Sequence, residues 1–356
     1  MAYINGKKVT FSAKVDIGAT PSGTIEITEN GTHDVSEYAS ANVNVSGGGG
    51  GANPLQLKCD RTKDLSYFLQ GYPLESADDI FDGVDTGNVT CANRMFYYAE
   101  ITTAPQLNTS GLLDSERMFE YCDELVSVPA YDFSKVTKSL YMFHYCRYIQ
   151  SLPAYDFSNS ERIDGMFDTC NRLEDASKIT FSTKPTNAYY LFSDCEKLTG
   201  CPSLDLPNNE SINCIFKNCK ALKTIPLLNM LSTKHCSSAF SGCAALENLT
   251  LKNIKISLMI GSGTAYGSLL TVESLLNTIK ELWNMTGDTA KTLTMGSTNL
   301  EKLANVYVKL IDITDDMRAE DEYIDNKLPF EVCESTDEGA MLLATDYMSL
   351  KNWEIK

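Results

Sequence analysis

No stretch of this 356-residue chain approaches the ~20 apolar residues that a membrane-spanning helix needs, so membrane insertion is not expected. Positive charge is also scarce. Thirty Lys and Arg stand against 47 Asp and Glu, a formal charge of −17, which argues against nucleic acid or an anionic membrane as the main partner. The three histidines, His33, His144 and His235, lie far apart and no C-x-x-C pair exists, so no metal site is expected. The motifs G-x-S-x-G and H-E-x-x-H are missing, and Gly261-Ser262-Gly263 lacks the further glycine of a phosphate loop. Carboxylate pairs single out nothing in so acidic a chain. The expectation is a protein that is not an enzyme and carries no cofactor. The N-terminus Met-Ala-Tyr-Ile-Asn-Gly-Lys-Lys has no apolar run behind its charges, so no secretory signal is expected and folding in a reducing cytoplasm is.

What the chain does have is one phrase repeated seven times. It reads Met95-Phe96-x-x-Ala99, Met118-Phe119-x-x-Cys122, Met142-Phe143-x-x-Cys146, Met166-Phe167-x-x-Cys170, Leu191-Phe192-x-x-Cys195, Ile215-Phe216-x-x-Cys219 and Ala239-Phe240-x-x-Cys243. The phenylalanines step by 23, 24, 24, 25, 24 and 24 residues. A fixed period in the twenties implies a solenoid, because one copy cannot bury its apolar residues alone.

Position within the repeat decides how the cysteines are read. Of twelve, Cys122, Cys146, Cys170, Cys195, Cys219 and Cys243 fill one slot of successive copies. Stacking would place them roughly 4.7–4.9 Å apart with side chains pointing the same way, which suits a core ladder rather than disulfides. An aliphatic residue follows three positions later (Leu125, Ile149, Leu173, Leu198, Leu222, Leu246). A second ladder, Asn108, Asp132, Asp156, Thr180, Asp205, Asn229 and Asn253, is expected to shape turns rather than to bind calcium, since Thr and Asn interrupt its charge.

Variation is concentrated elsewhere. The residue before the cysteine slot is Tyr98, Tyr121 and Tyr145 in the first three copies, then Thr169, Asp194, Asn218 and Gly242. Tyr131 and Tyr155 recur near the prolines of early copies only. Tyrosine supplies a large rigid surface with a polar tip, so Tyr98, Tyr121, Tyr145, Tyr131 and Tyr155 are the candidate ligand-binding residues. The competing reading is that these rings only cover the edge of the core.

The chain divides into five parts. Residues 1–46 read as a small β module, with alternation over Ile25–Thr28 and Ala41–Val45. Residues 47–53 are a glycine-rich linker, and 54–90 an N-terminal cap whose Phe68 starts a degenerate copy with Gly71 in the cysteine slot. The repeats occupy 91–256, and 257–356 form a C-terminal α/β cap. In that cap a helix is expected from Thr271, a short strand over 291–296 and helical spacing over Leu300–Ile313. The acidic run 315–322 should be solvated, and a last helix is expected near Glu338–Leu350 with Ser335 and Glu338 as a capping box.

The phrase Met-Phe-x-x-Cys-x-x-Leu-x-x-x-Pro-x-x-Asp-Phe-Ser resembles the bacterial leucine-rich repeats of the BspA type, in the variety found in surface proteins of Gram-positive bacteria and mycoplasmas. The resemblance implies an α/β leucine-rich-repeat solenoid of about 24-residue repeats. The segments Leu270–Leu275 and Leu293–Leu300 are similar to the closing segment of such repeats in phage-encoded proteins, here interrupted by the insertion near 304–339. Met1–Ala13 and Ile27–Val45 are similar to leaders of phage tail and baseplate proteins. Together these resemblances imply a virion component, made in the host cytoplasm, that recognises a host cell-surface glycan or protein. They further imply contact with other virion tail proteins through residues 1–46 and, by analogy, a homotrimer. A tail scaffold or decoration protein and a bacterial surface adhesin are the alternatives.

Overall fold

The computed structural model describes residues 64–356 except 72–75, 82–83, 261–268, 284–288, 295–296, 311–312, 328, 334–340 and 356; of residues 1–63 it describes the strands alone. Those strands are β1 (Ala2–Ile4), β2 (Lys7–Lys14), β3 (Gly23–Glu26), β4 (Thr32–Asp34), β5 (Ser40–Ser46) and β6 (Gln56–Lys58). Ile25 and Glu26 of the first alternating stretch, in β3, and Ala41–Val45 of the second, in β5, pair with β2 antiparallel; Ile27 and Thr28 lie outside the described residues. β4 pairs parallel with β6. The glycine run 47–51 lies outside the described residues.

In the repeats the backbone does two jobs in alternation. Ala92, Arg94, Phe96 and Tyr98 donate their N–H groups to carbonyls of the next copy, those of Asp114, Glu116, Met118 and Glu120, at 2.8–3.0 Å. The residues between them, Met95, Tyr97 and Ala99, donate three residues back within their own copy. Left-handed backbone at two slots per copy makes this possible, at Arg94 and Tyr98 (φ 54° and 59°) and on through Ser238 and Gly242 (φ 55° and 82°). Such a ribbon turns too often to be a strand and alternates too regularly to be a helix. Accordingly no helix occurs among the described residues of 91–256. Short parallel pairs join the copies instead: β7 (Asp156–Phe157) with β8 (Thr180–Phe181), and β9 (Thr224–Asn229) with β10 (Asn248–Lys252). Single bridges do the rest, as in the chain Asp64, Cys91, Asp114, Lys138, Arg162.

The alternation sends one set of side chains inward, copy upon copy. Phe96, Phe119, Phe143, Phe167, Phe192 and Phe216 are fully buried and stack with ring centroids 5.2–5.7 Å apart and planes within 7°. Each such ring contributes about 1.5–3 kcal/mol by leaving water. A second seam runs through Phe133 and Phe157, 5.2 Å apart.

At the N-terminal side the register differs from the sequence reading by one residue. Leu65, Tyr67, Leu69 and Gly71 donate to the carbonyls of Cys91, Asn93, Met95 and Tyr97. Leu69 therefore holds the phenylalanine slot, and Gly71 (φ 66°) holds the left-handed slot of Tyr98 rather than the cysteine slot. Glycine stands there because that slot needs positive φ. Helix α1 (Asp78–Phe81) follows, and its Phe81 packs edge-on to Phe96 at 6.4 Å.

After β10 and β11 (Leu258–Met259), helix α2 (Val272–Lys280) starts where Thr271 accepts the Ser274 N–H at 3.1 Å and buries Leu275, Leu276 and Ile279. β12 (Lys291–Thr294) pairs parallel with β11 and with the C-terminal β16 (Trp353–Ile355). The helical spacing read over 300–313 is correct only at its start. Helix α3 (Ser297–Leu303) gives way to β13 (Tyr307–Leu310), because Val306-Tyr307-Val308 favours an extended chain. Helix α4 (Asp315–Glu320) takes up the acidic run, and β13 pairs antiparallel with β14 (Phe330–Cys333) and β15 (Met341–Leu343). The last helix, α5 (Ala344–Leu350), begins later than expected, after β15; the expected cap residues Ser335 and Glu338 lie outside the described residues. The inserted stretch is tied down by buried Lys327, which donates to Glu281 and Asp321 at 2.6 Å each. Lys351, also buried, donates to the carbonyls of Ile279, Lys280 and Leu282 and so closes the end of α2.

Candidate functional site: an aromatic row over a buried charge chain

Tyr98, Tyr121 and Tyr145 come together because one slot recurs in register. Tyr98 and Tyr121 stack at 4.4 Å with planes 8° apart, and Tyr121 and Tyr145 at 4.9 Å and 28°. Tyr98 is 52 % exposed, and the other two are half-buried. All three have left-handed backbone, φ 59°, 62° and 62°. A side chain with a Cβ loses about 1–2 kcal/mol there; the later copies hold Thr169, Asp194, Asn218 and Gly242 in the same slot, of which only Gly242 escapes the cost outright. Stacking offsets part of that cost, at about 0.5–1.5 kcal/mol per ring pair. Tyr97 closes one side of the row, edge-on to Tyr98 at 4.6 Å, and Arg147 lies 5.3 Å from the Tyr145 ring centre.

Beneath the row runs a chain of charges that spans three copies. His144 meets Glu120 through Nδ1 at 2.9 Å and Asp168 through Nε2 at 3.3 Å. Arg117 donates Nη1 to both oxygens of Glu120, at 2.8 and 2.9 Å, while its guanidinium covers the Tyr141 ring at 4.7 Å. Burial alone would pull the His144 pKa down, but the bonds to Asp168 and Glu120 outweigh it and hold the pKa above the ordinary value. Burial would raise Glu120; its bonds to His144 and Arg117 prevail and lower it. A carboxylate at each ring nitrogen favours the protonated imidazole, which can then donate to both. His144 in turn packs edge-on to Tyr145 at 4.6 Å and lies 5.3 Å from Tyr121. Burial and the neighbouring Tyr98 raise the Tyr121 phenol, and burial with Glu120 raises Tyr97, so both stay neutral and can donate as well as accept.

Two of the five candidate tyrosines do not belong to this surface. Tyr131 and Tyr155 are buried, 5 % and 1 % exposed, and donate their hydroxyls to the carbonyls of Pro105 and Pro129 at 2.5 and 2.7 Å. Their rings lie parallel to Phe119 and Phe143. They are posts of the core, placed where a turn carbonyl needs a donor.

The six ladder cysteines are buried, and each thiol donates to the phenylalanine carbonyl of the preceding copy. Cys122 reaches Phe96, Cys146 reaches Phe119, and so on to Cys243 and Phe216, at 2.9–3.1 Å. Burial pushes every one of these thiols up, Cys243 to about 12. In the Asx ladder, Asn229 donates to Asp205 at 2.8 Å and Asn253 to Asn229 at 3.0 Å, while Asp132 and Asp156 accept the N–H two residues on.

Sequence reasoning missed the charge chain, treating His144 as one of three scattered histidines. The signal was the period itself: Glu120, His144 and Asp168 each follow a phenylalanine of the ladder and are 24 residues apart.

Residues 63–180, and again 113–230, match the family described as Mycoplasma protein of unknown function, DUF285. The second placement lies 113 − 63 = 50 residues along from the first, about two copies, as a match to a repeat protein would slide. No curated protein and no solved structure matches the chain.

Proposed function

We propose that this chain is a non-catalytic recognition protein of a phage tail or baseplate. On this reading it displays a leucine-rich-repeat solenoid whose Tyr98–Tyr121–Tyr145 row binds a host cell-surface glycan or protein. The observation that carries the reading is the row itself. Three tyrosines stack in a slot that later copies fill with Thr, Asp, Asn and Gly, and they are backed by buried charges.

The stacking narrows the ligand. Tyr121 is faced on both sides by neighbouring rings, so it offers its edge and hydroxyl, while the half-exposed Tyr98 keeps the most ring surface. Phenol hydroxyls in a row suit the alternating donors and acceptors of a glycan or a peptide backbone. On the same reading, residues 1–46 attach to other virion tail proteins, three copies assemble as at many tail tips, and the protein is made in the host cytoplasm.

The test is binding of the purified full chain to intact cells of candidate Gram-positive hosts and mycoplasmas. Tyr98→Ala with Tyr121→Ala should lower binding at least tenfold while thermal unfolding shows a folded protein. A folded double variant that binds as the parent does would remove the basis for this reading.

A further inference from the structure

Two tyrosines of the repeats stand well out, Tyr98 at 52 % exposure in the first copy and Tyr190 at 38 % in the fifth. They belong to different slots. Tyr190 holds the other left-handed slot, four residues before the row in each copy, where Arg94, Arg117, Tyr141 and Gly165 precede it. Gly165 leaves that slot without a side chain, and the Tyr141 ring lies in the space: a Cβ on Gly165 would collide with it. Burial and a bond to the Tyr189 hydroxyl raise the Tyr141 phenol, and Tyr189 stands edge-on to Tyr190 at 5.8 Å. On its other flank Tyr141 lies 5.0 Å from His144, which touches Tyr145. Contacts thus run without a break from Tyr98 to Tyr190, crossing the ribbon diagonally from one slot to the other.

Building on the recognition role proposed for the row, we infer that its ligand is an extended, uncharged polysaccharide chain that follows this diagonal, with one sugar on the Tyr98 ring and another on the Tyr190 ring. Four steps between copies, at roughly 4.7–4.9 Å each, set the two rings about 19 Å apart along the stack. A mono- or disaccharide covers only one of them. The middle of the diagonal offers acceptors. Asp168 takes His144 Nε2 at 3.3 Å on one oxygen and the Thr169 hydroxyl at 3.2 Å on the other. Asp194 takes the Asn218 amide at 2.7 Å and the Ser193 hydroxyl at 2.8 Å in the same way. A carboxylate has about four acceptor positions, so both keep capacity for sugar hydroxyls. After Cys214 and burial, the charge of Asp168 also raises the Tyr190 phenol, so acceptor and ring are neighbours. These carboxylates and the formal charge of −17 disfavour an acidic chain. A peptide fits less well, because in copies one to five the amides at both left-handed slots and at the phenylalanine already donate to the next copy, and the diagonal is no strand edge.

Binding of the purified full chain to intact cells tests this. Tyr190→Ala should lower binding at least tenfold, and Tyr190→Phe, which keeps the ring, less than threefold, both with parental thermal unfolding. If Tyr98→Ala with Tyr121→Ala loses binding and Tyr190→Ala does not, the diagonal is refuted while the row stands; if neither loses binding, both fall. A Tyr190→Phe chain as weak as Tyr190→Ala would also overturn the inference, since ring surface would then not be the contact. The parent chain supplies a second measurement. Polysaccharide released from the bound cells and separated by size should compete for it, fragments of about five sugars at least tenfold better than disaccharides; equal competition would overturn the inference. Periodate treatment of the cells should abolish binding and proteinase K leave it intact. The reverse pattern would make the partner a protein and overturn the inference too.

Discussion

Replacing Glu120 by Gln removes one charge and almost no volume, at a side chain that is 2 % exposed. The amide can still bond Arg117 or His144, but two cations then lose the carboxylate they share. Removing one partner of a buried pair costs about 3–5 kcal/mol. Asp168 continues to hold His144, and Arg117 is 24 % exposed, so the lower end applies, roughly 3 kcal/mol. The pH dependence has a definite sign. His144 is raised in the folded protein, so its contribution is complete below the ordinary histidine value of 6.5 and fades as pH rises through the raised one. Glu120 is lowered, so its contribution is complete above 4.5 and fades as pH falls through the lowered value. The chain should therefore add most stability between 4.5 and 6.5 and lose its histidine part above that. Urea unfolding of the parent, Glu120→Gln, His144→Gln and the double variant, at pH 5.5 and 8.5, gives the coupling between the two residues. It should be at least about 1 kcal/mol at pH 5.5 and smaller at pH 8.5. A Glu120→Gln cost below about 1 kcal/mol, or a coupling that grows with pH, would refute the reasoning.

Tyr131→Phe leaves the Pro105 carbonyl without its donor and should cost about 1–2 kcal/mol in urea unfolding, with cell binding unchanged. Tyr145→Asn exchanges a ring stack for relief of left-handed strain; the two nearly cancel, so stability should move by less than about 1 kcal/mol. The six ladder thiols should resist iodoacetamide at pH 8 in the native protein and react once urea unfolds it, as mass spectrometry would show; early labelling of Cys170 would contradict its burial.

The core was legible because its residues are invariant within the chain itself. Phe, Cys and Leu at constant slots can only meet their own kind when copies stack. The backbone was less so. The left-handed slot was written in Asp194, Asn218 and Gly242, turn-formers at a position the tyrosines share, yet aromatic chemistry drew attention away from conformation. Tyr131 and Tyr155 misled for a related reason. A tyrosine next to Pro-Ala looks like surface until the carbonyl of Pro105 or Pro129, one copy earlier, is seen to lie within reach of its hydroxyl. In the C-terminal part the apolar spacing after Leu300 fits a helix or a strand over a few residues. β-branched Val306 and Val308 flanking Tyr307 decided for the strand, by pairing with residues more than twenty positions away.

The alternating ribbon has one more consequence. An ordinary parallel strand points its N–H groups to both neighbours in turn, so its dipoles cancel across a sheet. Here every N–H that crosses between copies on the phenylalanine side points toward the C-terminal end, and every carbonyl that receives one points back. The stack is thus polarised along its length like a helix turned end for end. Its positive pole lies at the C-terminal end of the ladder, on a protein whose formal charge is −17.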